Sequence, residues 1–460
     1  MLTVQEAACA LAAGWNGENV LFTGVSTDSR TIKHGDLFVA LSGERFDGHQ
    51  FIASAIDQGA VAVLVGKKTD IGRSLSGFGW IQVSDTRLSL GQLSAYWRTR
   101  FSLPLVAVTG SNGKTTVKEM IASIFRKAIM AETDEINSTS DKVLATIGNL
   151  NNDIGVPQML LRLREQHAYA VIEMGMNHAG EIAYLTRLAK PTVAVITNAG
   201  AAHIEGLGSV EAVARAKGEI FEGLSDRGVA IINVDDDHAS LWRRLAENRH
   251  IIDFGLNGSA QVTAFYQSDS SKSRWVLKLP DGSEEIRLQV PGQHNIYNAL
   301  AAAATAVAVG IDKQTIAAGL QAFRGVQGRL QKKLGLHKAT LIDDTYNANP
   351  ESMRAALAVL ANEPGKKVLI LGDMGELGPN AADFHHQIGV EASHVGIDEL
   401  LTLGNLSKHA AVGFGRCARH FSSMDALLVE AEKLLDINVS MLVKGSRFMQ
   451  MERVIRQLEA

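Results

Sequence analysis

Six short aliphatic runs recur from residue 104 onward: PLVAVTG, YAVIEMG, TVAVITNAG, GVAIINVDD, KKVLILGDM and SMLVKGSR. Their apolar stretches are continuous rather than alternating, so both faces of each strand need cover, and segments of helical spacing separate them. This pattern specifies an α/β protein of parallel sheets flanked by helices.

The chain has 460 residues, 46% hydrophobic and 20% charged, enough for roughly two to four domains. Residues 1–100 read as a smaller unit that ends near RTRFSLP, where a strand opens a new sheet. A second break is expected near VGIDKQ, before FRGVQGRLQ, whose glycines suit a hinge. The expected division is therefore 1–100, 101–313 and 314–460. The polar stretch YQSDSSKSR, residues 266–274, reads as an exposed hairpin loop.

A net charge of −4 gives no global positive field, so nucleic acid and anionic membranes are not expected partners. Cys9 and Cys417 are far apart and form no CxxC pair, which suits a reducing cytoplasm. No secretory leader is legible at the N-terminus. The longest apolar run, ALAAAATAVAVGI, is too short to span a bilayer and reads as a packed helix.

The most specific chemistry lies in LVAVTGSNGKTTVKEM. A strand enters a glycine-bearing turn, Gly110, Ser111, Asn112 and Gly113, then Lys114, Thr115 and Thr116 open a helix. That is the context of a phosphate-binding loop, in which turn amides and the helix N-terminus attract phosphates and Lys114 adds a point charge. Val108 stands where the longer GxxxxGK[ST] form has glycine, so only the shorter TGSxGKTT form is present. A magnesium ion would accompany the triphosphate, with Thr115 as one ligand. Further ligands should sit at the carboxyl ends of neighbouring strands, where Glu173 ends YAVIEMG and His203 follows TVAVITNAG.

The segment VARAKGEIF places Val213, Lys217 and Phe221 on one helical face, continued by Leu224. A lysine on such a stripe ordinarily lays its stem along the core and lifts its ammonium into water. An inward-facing Lys217 would instead point at the phosphate and metal site, where a bare ammonium beside magnesium would be repelled.

At these residues the chain resembles the Mur ligase family, ATP-dependent amide-forming enzymes of bacterial cell-wall synthesis, over essentially its whole length. The resemblance implies a small N-terminal α/β UDP-binding domain, a central P-loop parallel-sheet ATPase domain and a C-terminal Rossmann-like α/β domain. It implies two Mg2+ ions, one on Thr115 and Glu173 and one on His203 and Lys217, with Lys217 carrying a carbamate. The first-domain string STDSRTIKHGDLFVALSGERFDGHQF resembles the UDP-holding segment, with Asp28, Ser29, Arg30, Arg45 and His49 as contacts. GNLNNDIGVP and EMGMNHAGEI resemble segments of the muramoyl-peptide cleft, giving Asn149, Asn151, Asn152, Asn177 and His178. PGQHNIYNALAAAA resembles the ATP segment, with Asn295 toward adenine and with Arg329 and Asp344 reaching the nucleotide from the third domain. Polar turns and helix caps would explain several of these equally well.

Within the family, YNANPESM, LGDMGELG and LVKGSRFMQME resemble the member that joins D-alanyl-D-alanine to UDP-N-acetylmuramoyl-tripeptide, with Lys444, Ser446 and Arg447 near the dipeptide or phosphates. The implied catalytic set is Lys114, Glu173, His203 and Lys217. The expected protein is a cytoplasmic monomer that meets only small molecules. A folate-polyglutamylating ligase, a nucleotide-dependent switch and a small-molecule kinase stand as alternatives.

Overall fold

The computed structural model describes residues 1–43, 46–67, 77–132, 140–201, 204–266 and 275–460. All six aliphatic runs are strands. Four lie in a six-stranded parallel sheet, in the order Val143–Ala145, Tyr169–Glu173, Leu105–Thr109, Val193–Ile196, Val229–Asn233 and His250–Phe254. The other two lie in a second six-stranded sheet, ordered Gln331–Leu334, Thr340–Asp344, Val439–Lys444, Lys366–Gly372, Glu399–Leu403 and Ala418–Phe421, parallel except at its first strand.

Continuous burial follows from the two-residue period of a strand. Leu105 and Ala107 join the core on one face of the central sheet, whereas Val106 and Val108 join the core on the other. Leu341 and Ile342 divide between the two faces of the third-domain sheet in the same way. The alanine-rich run forms the helix Gln293–Ala308, packed against the central sheet with most of its alanines fully buried.

The first unit has its own sheet, ordered Gly14–Asn16, Gly79–Val83, Ala62–Gly66, Asp36–Val39 and Gly24–Ser26, antiparallel only at its first pair. Its helix Thr86–Arg98 shares one apolar core with the central sheet. The junction near residue 100 is tied down as well. Arg98 Nε donates to Ala189 O at 2.9 Å, and Trp97 Nε1 donates to Leu163 O at 3.1 Å. Strands Thr263–Tyr266 and Trp275–Leu279 pair antiparallel, as a hairpin at 266–274 requires. Residues 267–274 themselves lie outside the described residues.

The expected boundary at 313/314 falls too early. The helix Lys313–Ala322 packs on the helix Lys114–Glu132, and Ile316, Ala317, Leu320 and Phe323 belong to the central core. The turn before Lys313 is a real break in secondary structure but lies inside a packing unit. The crossing to the third domain comes later, at 324–330, where Gly325 and Gly328 take φ of 94° and 70°, values that suit glycine.

Gly319 sits where the two helices meet. Ser123 Oγ donates to Gly319 O at 2.7 Å, and a Cβ on Gly319 would overlap the Ile124 backbone. Helix propensity alone would favour alanine by about 1 kcal/mol. The close approach reverses that sign: Gly319→Ala should destabilise the central unit by about 1–3 kcal/mol, read as a lower urea midpoint.

Candidate active site

The strand Leu105–Thr109 has Tyr169–Glu173 on one side and Val193–Ile196 on the other, so the loop after it opens at the point where the sheet's winding reverses, the usual place for a ligand crevice. Gly110 and Gly113 take φ of 152° and 82°. A side chain at Gly110 would strike Thr197, and one at Gly113 would strike Asn298. The loop is held from the neighbouring strand's end: Ser111 N donates to Asn198 O at 3.0 Å, Asn112 N to Asn198 Oδ1 at 2.9 Å, and Thr197 Oγ1 to Asn112 O at 2.6 Å.

Lys114 folds back over this loop and donates to Gly110 O at 2.8 Å. Burial is the main cause of its lowered pKa; Arg329 lowers it further, while Glu173 and Glu376 raise it. Thr115 is buried, and its Oγ1 accepts from Arg329 Nη2 at 2.9 Å. The Arg329 guanidinium also lies over the Tyr346 ring, 4.5 Å from its centroid, a cation–π arrangement.

Glu173 is 2% exposed at the tip of its strand. Asn151 Nδ2 donates to its Oε1 at 2.8 Å, while Oε2 is buried without a hydrogen-bond partner. A buried unpaired carboxylate oxygen is costly unless something binds it. The donor set suits a magnesium ion, which takes few protein ligands beside substrate phosphates; Glu173 and Thr115 are the residues that would hold it. No group of three or more His, Cys, Asp or Glu among the described residues could hold a metal on its own.

Lys217 lies on the helix Val210–Gly218 with Val213, while Phe221 falls in the 3-10 turn Glu219–Gly223 that follows; all three are buried, and Lys217 is 1% exposed. The ordinary outcome, a stem along the core with its ammonium in water, is thus not realised. Burial first, and then the positive charge of Lys114, push its pKa well below the ordinary lysine value of 10.5. His203 and Arg45 lie outside the described residues.

The P-loop floors a cleft of about 710 Å3 whose opposite wall is the third domain. Asn149, Asn151, Asn152 and Asn177 line it, as do Asn295, Arg329, Asp344, Lys444 and Arg447. Several carry local bonds too. Asn152 Oδ1 accepts from Gly155 N at 2.8 Å, and Asn295 Nδ2 donates to Pro291 O at 2.6 Å. Lys444 Nζ makes a buried ion pair with Asp344 Oδ2 at 2.6 Å and donates to Asn347 O at 2.8 Å. Ser446, outside the cleft lining, donates through Oγ to Ala348 O at 3.1 Å, and Arg447 pairs with Glu452 at 3.0 Å.

The first-domain candidates stand apart from this cleft, as does exposed His178. Asp28 and Ser29 follow the strand Gly24–Ser26, and His49 follows Asp36–Val39, so both groups sit at the carboxyl edge of the first sheet. Asp28 pairs with Arg30 at 2.7 Å. His49 Nδ1 meets Asp47 at 2.6 Å while its Nε2 accepts from Gly66 N at 2.9 Å.

Sequence reading assigned no role to Asp235, Tyr297, Asn198, Asn349 or Glu351, all of which line the cleft. Tyr297 OH donates to Asp235 Oδ2 at 3.0 Å, and burial with this bond raises the phenol's pKa to about 12. Asn349 and Glu351 lie in the YNANPESM string, where the capping box between Asn349 and Ser352 is a local signal that could have marked the helix start, while the long-range contacts leave none.

Three family matches cover most of the chain: the Mur ligase family catalytic domain over residues 21–97, the Mur ligase middle domain over 108–306, and the Mur ligase glutamate ligase domain over 328–447. The chain is 42% identical over 462 aligned residues to the UDP-N-acetylmuramoyl-tripeptide--D-alanyl-D-alanine ligase of Escherichia coli K12, covering 100% of this chain and 98% of that protein. The chain belongs to the Mur ligase family.

Solved structures agree. A MurF from Acinetobacter baumannii superposes with a TM-score of 0.90 at 38% identity, covering 99% of this chain and 98% of that one. The Thermotoga maritima MurF in complex with ADP gives 0.80 at 26% identity, covering 96% and 98%. As a Mur ligase, this chain is an ATP-dependent enzyme that forms a peptide bond.

The depressed basicity of Lys217 has a thermodynamic consequence. Below pH 10.5 the unfolded chain binds a proton on this residue that the folded protein holds less well, so stability rises with pH through the interval up to that value. Lys217→Met should flatten that slope and leave the protein no less stable at neutral pH, while lowering ligation at least about hundredfold. Urea melts at two pH values, beside turnover, check both.

Proposed function

We propose that this chain joins D-alanyl-D-alanine to UDP-N-acetylmuramoyl-tripeptide at the expense of ATP, releasing ADP and phosphate. What carries the reading is the end-to-end likeness to enzymes of that name, third domain included, together with a P-loop that faces the YNANPESM segment across one cleft.

A carboxylate is a poor acylating group because oxide is a poor leaving group. The γ-phosphoryl group is therefore first transferred to the tripeptide's terminal carboxylate. The dipeptide amine then attacks the acyl phosphate, a tetrahedral intermediate forms, and phosphate departs. Lys114, lifted from Gly110 O, places its charge on the β and γ oxygens, and Arg329 adds a second charge from the third domain. Magnesium on Glu173 and Thr115, with a second ion toward His203 and Lys217, would spread the charge of the transferring group. Asn295 turns toward adenine and Asp344 toward the nucleotide. Asn149, Asn151, Asn152, Asn177 and His178 take the muramoyl peptide, and Lys444, Ser446 and Arg447 serve the dipeptide side. Asp28, Ser29, Arg30, Arg45 and His49 hold the UDP end. Water is excluded from the acyl phosphate by closure of the third domain.

The same reading puts a carbamate on Lys217. A buried amine of lowered basicity is the neutral nucleophile that adds to carbon dioxide with loss of one proton, and the anion formed would offset Lys114. If native mass spectrometry shows no carboxyl adduct, and a Lys217→Ala variant gains nothing from short carboxylic acids, this part of the reading is withdrawn. No helix among the described residues is long and apolar enough to cross a membrane; the reading has the enzyme work as a monomer in the cytoplasm.

The deciding assay is phosphate release from ATP with UDP-N-acetylmuramoyl-tripeptide and different amines. Turnover is expected with D-alanyl-D-alanine and not with single amino acids. Turnover with another acceptor would keep the P-loop chemistry and overturn the assignment of the third domain, and amine-independent release would favour a switch or kinase.

A further inference from the structure

The third domain does more than wall the cleft, because it grips the phosphate loop itself. Asn349 Nδ2 donates to Asn112 Oδ1 at 2.8 Å, and Asn112 Nδ2 donates to Glu351 Oε2 at 3.2 Å. The other carboxylate oxygen of Glu351 accepts from Ala201 N at 2.6 Å. One P-loop amide is thus held at both ends by two side chains from the first turn of the helix Pro350–Ala361 and its cap. The same carboxylate reaches the turn after the strand Val193–Ile196, which itself fixes the P-loop through Ser111 and Asn198.

Two features mark this as a built contact. Asn349 is the N-cap of its helix, its Oδ1 accepting from Ser352 N at 2.8 Å, so its amide group is aimed by the cap. Gly200 is buried, and a Cβ there would overlap the Glu351 carboxylate. The turn is therefore shaped to admit the acid. Charge-assisted bonds from a carboxylate to a backbone N–H are among the stronger ones available.

We propose that Asn349 and Glu351 are positioning residues that clamp the third domain onto the P-loop through Asn112 and the Gly200–Ala201 turn, so that the docked domain and a properly set phosphate loop are one state. The inference rests on the ligase reading for its kinetics but not for its geometry. The third domain cannot swing about the Gly325–Gly328 crossing without releasing these bonds. Arg329, which touches Thr115, moves with that crossing.

The test has two independent arms. Cys9 and Cys417 are both exposed and are the chain's two cysteines, one in the first domain and one in the third. Fluorophores on them report domain docking without any turnover. Glu351→Ala should lengthen the mean distance and broaden its distribution, Glu351→Gln should do so less, and Gly200→Ala should match Glu351→Ala although it leaves the carboxylate in place. In kinetics, Glu351→Ala should lower kcat about tenfold with a smaller change in KM for the UDP-linked substrate. Asn112→Ala combined with Glu351→Ala, and Gly200→Ala combined with Glu351→Ala, should cost no more than the single variants. An unchanged distance in Glu351→Ala, or additive losses in both pairs, overturns the clamp. If the preferred amine proves to be another one, the distance arm still decides, so failure of the clamp and failure of the substrate assignment are separable.

Discussion

Buried charge around the P-loop is the constraint on which the rest of the site depends. Lys114, Lys217 and Arg329 converge from three segments, while Glu173 is the carboxylate among them with an unpaired buried oxygen. Such a set is expensive in a protein interior. The structure relieves it by holding Lys217 at low basicity and by turning Lys114 back onto loop carbonyls. A polyanion with its metal would resolve it differently, giving Lys114 and Arg329 oxygens to bind and giving Glu173 a cation.

The fold makes this charge cluster possible by rigidity on one side and freedom on the other. The first domain shares a core with the central sheet and is pinned by Trp97 and Arg98. The third domain has separate cores on both faces of its own sheet and meets the central domain through polar contacts at the cleft. Polar contacts between domains can be made and broken at modest cost, whereas an apolar core cannot be opened without exposing it to water. Motion therefore belongs at 324–330 rather than at residue 100.

Much of this was legible in the sequence, for identifiable reasons. Parallel strands buried on both faces announce themselves as unbroken aliphatic runs, and a phosphate loop needs its residues contiguous. The Lys217 stripe was legible because helical neighbours lie four apart. What escaped was pairing at long range. Asn112 finds Asn349 and Glu351 across more than two hundred residues, and Asp344 finds Lys444 a hundred residues on; neither partner carries a local mark of the other. The domain boundary slipped because a turn signal reports the end of a helix, whereas domain membership is decided by packing, in this case by the bare Cα of Gly319 against Ile124.

The Asp344–Lys444 pair acts on the site through more than any contact of its own with substrate. The two lie at the carboxyl ends of adjacent parallel strands, in register with each other. Their ion pair is buried, and Lys444 also holds the Asn347 carbonyl while Asp344 Oδ1 accepts from Leu330 N at 3.2 Å. Removing either partner would strand a buried charge. It would also loosen both the segment that carries Asn349 and Glu351 and the one that carries Arg329. The pair therefore braces both segments that carry third-domain groups to the P-loop, through Leu330 beside Arg329 and through Asn347 ahead of Asn349.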